Sequence, residues 1–126
     1  MLGFSLLVEE LMNITHIYSD ADGQSHYENL EMKCSDQGPL GSMSEPIPVT
    51  SFIFRENPPG YEYGWHNAPR EQYIVMLEGM VEITVSDGEV RTFVPGDIVL
   101  VSDTTGKGHA SRSPDGKARK SLFLPI

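Results

Sequence analysis

Turn signals divide this chain into short segments, and their spacing limits its fold more than any other feature. Pro58-Pro59-Gly60, Asp87-Gly88 and Pro95-Gly96-Asp97 are three examples, in which glycine and aspartate tolerate the backbone conformations of tight turns. Runs suited to β-strands lie between such signals at intervals of roughly ten residues. These runs are HYENLEMKC, PVTSFIFRE, REQYIVMLE, MVEITVS, EVRTFV, IVLVSD, HASRS and KSLFLPI. The spacing is typical of an all-β sandwich or barrel.

Alternation within the runs indicates that each predicted strand has one inward and one outward face. In MVEITVS, Val81, Ile83 and Val85 share one face, whereas Glu82 and Thr84 share the other. About eight such strands suit a small closed or double-sheet β-barrel. The stretch GPLGSMSEP, residues 38–46, is predicted as a loop.

The first dozen residues follow a different pattern. Phe4, Leu7, Val8 and Leu11 recur at helical spacing, which predicts a short N-terminal helix or arm. We therefore divide the chain into an N-terminal extension, residues 1–12, and one barrel domain, residues 13–126. Because helical periodicity ends there, we expect the barrel to fold without residues 1–11.

Charge and composition exclude several classes of partner. The formal net charge is −9, so neither a basic nucleic-acid surface nor an electrostatic membrane patch is expected. No apolar run approaches the ~18 residues of a membrane span, and the apolar N-terminus lacks the basic residues of a secretory signal. The single cysteine, Cys34, is predicted to be a half-buried strand residue without a disulfide. These features together predict a cytoplasmic protein.

Two of the four histidines lie beside strong turn signals. His66 follows the turn at Gly60, and His109 follows the loop TTGKG. Side chains that point inward from neighbouring strands of a small barrel converge on one cavity. Two imidazoles and one carboxylate or amide can there form a metal site with open positions. His26 is predicted to be a half-exposed strand residue, with a role in the cavity as the alternative.

The region from Gly60 to about Ser113 resembles the two sequence motifs of the cupin superfamily. The first motif reads glycine, five residues, His-x-His, three or four residues, glutamate, six residues, glycine. In that frame this chain has Gly60, His66, Ala68, Gln72 and Gly79, so the second histidine and the glutamate are replaced.

The second motif is matched by its glycine and its histidine. Gly96 opens it and His109 fits the histidine, after a loop slightly longer than usual. Ser102 replaces the motif's proline, and Ser113 replaces its closing asparagine. The resemblance covers most of residues 46–125 in strand order and implies a cupin-like double-stranded β-helix, or jelly-roll, barrel.

The resemblance implies a metal site made by His66, Gln72 and His109. Gln72 offers a neutral carbonyl oxygen where the family has a carboxylate, and Ala68 offers no donor. The metal would be a divalent Fe, Mn, Ni or Zn ion. The alternative is a metal-free barrel in which His66 and Gln72 hydrogen-bond a ligand or each other.

Strand parity predicts which neighbours share the cavity. Gln72, Ile74 and Met76 lie on one face of their strand, and Tyr73 lies on the other. On the strand before them, Tyr63 and Trp65 alternate with His66, so we expect both to face away from it.

Two charged residues near the site have alternative interpretations. Arg70, in a turn, is either an exposed arginine or a clamp for an anionic substrate at the mouth of the cavity. Asp103, beside the TTGKG loop, is a candidate extra ligand or base.

Two classes of function remain open at this stage. The chain is either a small metal-dependent enzyme acting on a small anionic organic substrate, or a non-catalytic barrel that binds or senses a small molecule. The catalytic residues and the reaction are not defined by the sequence. Small cupins form dimers, so the resemblance also implies a homodimer.

Overall fold

A computed structural model describes residues 12–126, and its regular secondary structure is almost entirely β. The predicted helix within residues 4–11 lies outside the described residues. One 3₁₀ turn, Gly38–Leu40, accompanies the strands β1 Met12–Ser19, β2 Ser25–Met32, β3 Cys34–Asp36, β4 Ser42–Ser44, β5 Ile53–Asn57, β6 Glu62–His66, β7 Gln72–Glu78, β8 Val81–Val85, β9 Val90–Phe93, β10 Ile98–Val101, β11 His109–Arg112 and β12 Arg119–Pro125.

The strands form two main sheets and one small hairpin. The larger sheet has six strands in the order β2-β1-β10-β7-β12-β5, and the smaller has four in the order β6-β11-β8-β9. Among the strands of residues 12–126, all pairs are antiparallel except β1 and β10, which run parallel. The all-β prediction is confirmed.

The hydrophobic core lies between the two main sheets and follows the predicted alternation. Val81, Ile83 and Val85 of β8 are all buried, as the sequence pattern predicts. Across from them, Val99 and Val101 of β10 belong to the same apolar cluster. Burial of these branched side chains, each contributing roughly 1.5–3 kcal/mol, fixes which face of each strand points inward.

Two parts of the chain differ from the sequence interpretation. β1 is absent from the predicted strands, although it pairs along its whole length with β2. The predicted loop at residues 38–46 contains the 3₁₀ turn and β4, which pairs with β3. Both short strands of this hairpin are exposed, so no burial pattern marks them in the sequence.

Cys34 is exposed, so the prediction of a half-buried strand residue is wrong. It begins β3, outside the core, which explains the difference. Within residues 12–126, no helix is long and apolar enough to cross a membrane.

Candidate ligand and metal site

A cavity of about 350 Å³ opens between the two sheets. Its walls are apolar over much of their area, with a few polar groups placed among the hydrophobic ones, as is common in small-molecule sites. Seven strands contribute residues: β5, β6, β7, β8, β10, β11 and β12. No aspartate or glutamate of the described chain lines the cavity.

His66 and His109 meet in this cavity, as the sequence predicts. They are directly opposite each other where β6 pairs with β11, and their ring centroids lie 4.5 Å apart. Gly108 permits this approach, because a Cβ at that position would collide with the carbonyl group of His66. Its φ of 71° is also one that favours glycine.

Each imidazole uses its Nδ1 atom for an anchoring hydrogen bond. His66 Nδ1 lies 2.6 Å from the carbonyl oxygen of Gly64, and His109 Nδ1 lies 2.5 Å from Asp103 Oδ2. Because carbonyl and carboxylate oxygens accept, both Nδ1 atoms donate, and in the neutral form of each ring the lone pair is on Nε2. Burial lowers the pKa of His66 more than the Gly64 hydrogen bond raises it, which favours the neutral ring that metals bind.

Asp103 lies behind His109 rather than in the cavity. Its side chain is fully buried, and its Oδ1 atom has no hydrogen-bond partner within residues 12–126. Its position therefore matches neither the predicted ligand nor a base in contact with substrate. A carboxylate that receives the distal N–H of a ligating histidine orients the ring and raises its basicity, which is the role this geometry suits.

Gln72 also faces the cavity. It is 5% exposed and lines the same space as Ile74 and Met76, while Tyr73 contributes to a groove on the other side of the sheet. The predicted parity of β7 is confirmed. Ala68 is buried and lines the cavity as well, so its small side chain leaves room where the family motif has a second histidine.

The prediction that Tyr63 faces away from His66 is wrong. The two rings stack with centroids 3.7 Å apart, and Tyr63 lines the cavity. The cause is a β-bulge: Tyr63 pairs with Ser111 and His66 with His109, so three steps along β6 match two along β11. The extra residue reverses the alternation and brings Tyr63 onto the His66 side. Trp65 is 56% exposed and does not line the cavity.

Other candidates from the sequence fall in different places. His26 is on the surface between Asp20 and Asp87, so it has no role in the cavity. Arg70 is exposed but lines the cavity, consistent with a position at its mouth. Sequence reasoning missed Arg55 and Arg119, which line the cavity from β5 and β12.

The cavity offers a divalent metal imidazole and amide donors but, among the described residues, no carboxylate. No cluster of three or more His, Cys, Asp or Glu side chains suited to a metal occurs in the described part of the chain. The side chains of His66, Gln72 and His109 nevertheless line one cavity, and both rings are anchored in the way metal-ligating histidines commonly are. The residues therefore fit a weakly held divalent ion, without a protein carboxylate in contact with it.

Comparison with known proteins gives structural matches alone. No family model and no curated protein matches the sequence. A Cupin 2 conserved barrel domain protein from Salinispora arenicola is 24% identical, with a TM-score of 0.47 over 65% of this chain and 68% of that chain. The Cnp3 cupin domain of Schizosaccharomyces pombe is 14% identical, with a TM-score of 0.49 over 97% of this chain and 88% of that chain. A conserved protein of unknown function from Streptococcus pyogenes is 20% identical, with a TM-score of 0.49 over 66% and 68%.

The class of protein follows from the chain's own strand order and motif positions. Two mainly antiparallel sheets enclose a cavity, and the motif residues His66, Gln72 and His109 all line it. This architecture agrees with the double-sheet jelly-roll barrel that the resemblance in the sequence implies. A fold of this kind fits small-molecule binding and does not by itself define a function.

Proposed function

We propose that this barrel binds a small organic anion together with a divalent metal ion held by His66, Gln72 and His109. The observation that carries the proposal is the arrangement of the two imidazoles. Both line one cavity, both donate through Nδ1 to a fixed acceptor, and both therefore keep Nε2 free as a metal ligand. Fe, Mn, Ni and Zn all accept imidazole nitrogen.

The anionic character of the ligand follows from the charge of such a site. Gln72 is neutral, and no acidic side chain among the described residues lines the cavity. Burying a divalent ion without a neighbouring negative charge costs several kcal/mol. A carboxylate or enolate oxygen of the ligand would supply that charge in the space left by Ala68.

A bound divalent ion supplies Lewis-acid polarisation of a carbonyl or enolate oxygen. The chain's own residues would position the reactants. Asp103 holds the ring of His109, the Gly64 carbonyl holds that of His66, and the apolar walls exclude water from the ligand. An enzyme built on this site would act on a small carboxylic acid.

A second candidate is a binding or sensing barrel that works without metal. The observation in its favour is Ala68, which is buried at the position of a family ligand and offers no donor atom. In that case His66 Nε2 and the Gln72 amide would hydrogen-bond the ligand directly.

Calorimetric metal titration of wild type and Gln72→Glu distinguishes the two candidates. If residue 72 is a ligand, the added carboxylate contributes roughly 1.5–3 kcal/mol and should tighten metal binding by about one to two orders of magnitude. The matched control is Gln37→Glu, which adds the same charge at an exposed position outside the cavity and should change nothing.

Equal affinities for wild type and Gln72→Glu would show that residue 72 is not a ligand. His109→Ala should abolish binding. The absence of metal binding in both wild type and Gln72→Glu would favour the metal-free barrel.

A further inference from the structure

Two arginines lie on the inner face of neighbouring strands. Arg55 is opposite Ser121 and Arg119 is opposite Asn57 in the pairing of β5 with β12, so the arginines are diagonal neighbours. Both line the cavity that holds His66 and His109. Residues 55, 57, 119 and 121 all point inward, in agreement with the two-residue period of a strand.

Neither guanidinium has an acidic partner within residues 12–126. Arg119 donates one long hydrogen bond of 3.3 Å to Ser113 Oγ, and Arg55 donates one of 3.2 Å to the Tyr61 hydroxyl. Arg91 and Arg112 differ, since each forms an ion pair with a glutamate on the outside of the barrel. The cavity arginines thus keep most of their ten N–H donors unused.

Burial makes this arrangement costly in the free protein. Arg119 is 7% exposed, and burial lowers its pKa, with a smaller contribution in the same direction from the positive charge of Arg55. Aromatic rings compensate only in part: Arg55 lies 4.9 Å from the ring centroid of Phe123, and Arg119 lies 5.6 Å from that of Tyr61. A buried cation with a like-charged neighbour is expected to be stabilised by an anion.

We infer that Arg55 and Arg119 form an oxyanion subsite that binds the carboxylate or phosphate group of a small, otherwise apolar ligand. The inference deepens the proposed function, because it identifies the residues that would hold the negative group in the same cavity. Planar guanidinium groups suit two-point contact with such oxygens. Asn57 and Ser121, both buried beside the arginines, can donate further hydrogen bonds.

The body of the ligand is defined by the remaining wall. Ile53, Ile74 and Phe123 line the cavity together with the arginines, so a ring or short branched chain attached to the acidic group would meet apolar surface. Benzoate has this chemistry and serves as the carboxylate probe. Inorganic phosphate tests the alternative source of the oxyanion, and benzamide is the neutral control of the same shape.

The experiment measures binding of the three probes by calorimetry and thermal shift, with a chelator present to remove metal. Wild type should bind benzoate or phosphate at millimolar concentration or better, and benzamide at least about tenfold more weakly. Arg119→Met should lose at least about tenfold in affinity for the anion that wild type binds. The matched control, Arg112→Met, removes an arginine from the outer surface and should bind as wild type does.

Stability provides a second readout that a purely structural arginine would not give. Without anion, Arg119→Met should melt at the same temperature as wild type or higher, because it removes a buried charge that no carboxylate neutralises. Anions should raise the melting temperature of wild type and leave that of Arg119→Met unchanged. Arg55→Met makes the same test at the less buried arginine if Arg119→Met fails to fold.

Several results would overturn the subsite. These are benzamide binding as tightly as benzoate, unchanged anion affinity in both arginine variants, or no response of wild type to either anion. The metal titration is independent of this outcome. If the protein binds no metal but binds an anion through Arg119, the subsite is supported and the metal site is rejected. If it binds metal but its anion affinity is unchanged in both arginine variants, the metal site is supported and the subsite is rejected.

Discussion

At the scale of single residues, each cavity histidine is held by an acceptor that lies close to it in the sequence. His109 depends on Asp103 for its orientation, and His66 depends on the carbonyl of Gly64. Tyr63 reaches the site through one inserted residue in β6. Because these contacts are short, substituting a residue that orients a histidine ring can be compared with substituting the histidine itself.

His26, on the surface, should make the stability of the fold depend on pH. His26 Nε2 lies 2.7 Å from Asp20 Oδ2, and its Nδ1 lies 2.8 Å from Asp87 Oδ2. The hydrogen bond to Asp20, followed by that to Asp87, raises the pKa of His26 above 6.5. The bond to His26 lowers the pKa of Asp20, and the pKa of Asp87 is lowered by its bond from the Glu89 amide and then by His26.

The sign of the effect follows from these directions. The contribution of His26 is fully present below its unfolded pKa and is lost as the pH rises through its higher folded pKa. The contributions of Asp20 and Asp87 are present above the ordinary aspartate pKa of 3.8 and are lost as the pH falls through their lower folded values. The cluster should stabilise the fold most between about pH 4 and 6.5.

His26→Gln should therefore lower stability more at about pH 5.5 than at about pH 8.5. Urea denaturation measures the free energy of unfolding of wild type and variant at both pH values. The other histidines titrate in both proteins, so their effect cancels when the variant is compared with wild type. Added salt should reduce the effect, because the groups are near the surface. A stability difference that is the same at both pH values would show that the cluster is not ionised as described.

At the scale of structural elements, the site depends on the close approach of Gly108, just before β11, to His66 at the end of β6. Gly108 has a φ of 71°, and a Cβ there would overlap the carbonyl of His66. Gly116 has the same φ of 71° but open space around its Cβ position. The two glycines therefore separate backbone strain from steric collision.

Gly108→Ala should destabilise the fold by about 2–4 kcal/mol, because strain and collision add. Gly116→Ala should cost only about 1 kcal/mol, from the strained φ alone. Chemical denaturation measures both values. Gly108→Ala should also weaken metal binding by displacing His109 from His66, whereas Gly116→Ala should not; equal costs for the two variants would contradict the close contact.

At the scale of the whole molecule, the six-stranded sheet ends on an exposed edge. β5 pairs only with β12 among the described strands, and its neighbouring aromatic side chains Phe52 and Phe54 are 56% and 77% exposed. Their rings lie 5.2 Å apart. Unpaired edge strands with apolar side chains are prone to association, which supports the homodimer that the family resemblance implies.

Sedimentation equilibrium tests the homodimer. We expect wild type to be dimeric at micromolar concentration and Phe54→Lys to dissociate at least about tenfold more readily. Val90→Lys is the matched control, since Val90 is 49% exposed on β9 at the edge of the other sheet. A monomeric wild type, or equal dissociation of both variants, would count against a dimer formed through β5.

The sequence by itself determined the class of fold and part of the site. Turn residues and two-residue alternation are local properties, so they predicted the strands from β5 onward and the inward faces of β7 and β8. The resemblance to the cupin motifs also pointed to His66, Gln72 and His109, which the structure brings to one cavity.

Only the tertiary structure decided the rest of the site. Tyr63 joins His66 because β6 and β11 pair with a bulge, and Arg55 and Arg119 meet because β5 and β12 pair across more than sixty residues of sequence. Asp103 meets His109 across the loop of residues 104–108. Strand register and loop closure depend on hydrogen bonds between distant segments, and no local pattern of residues encodes them.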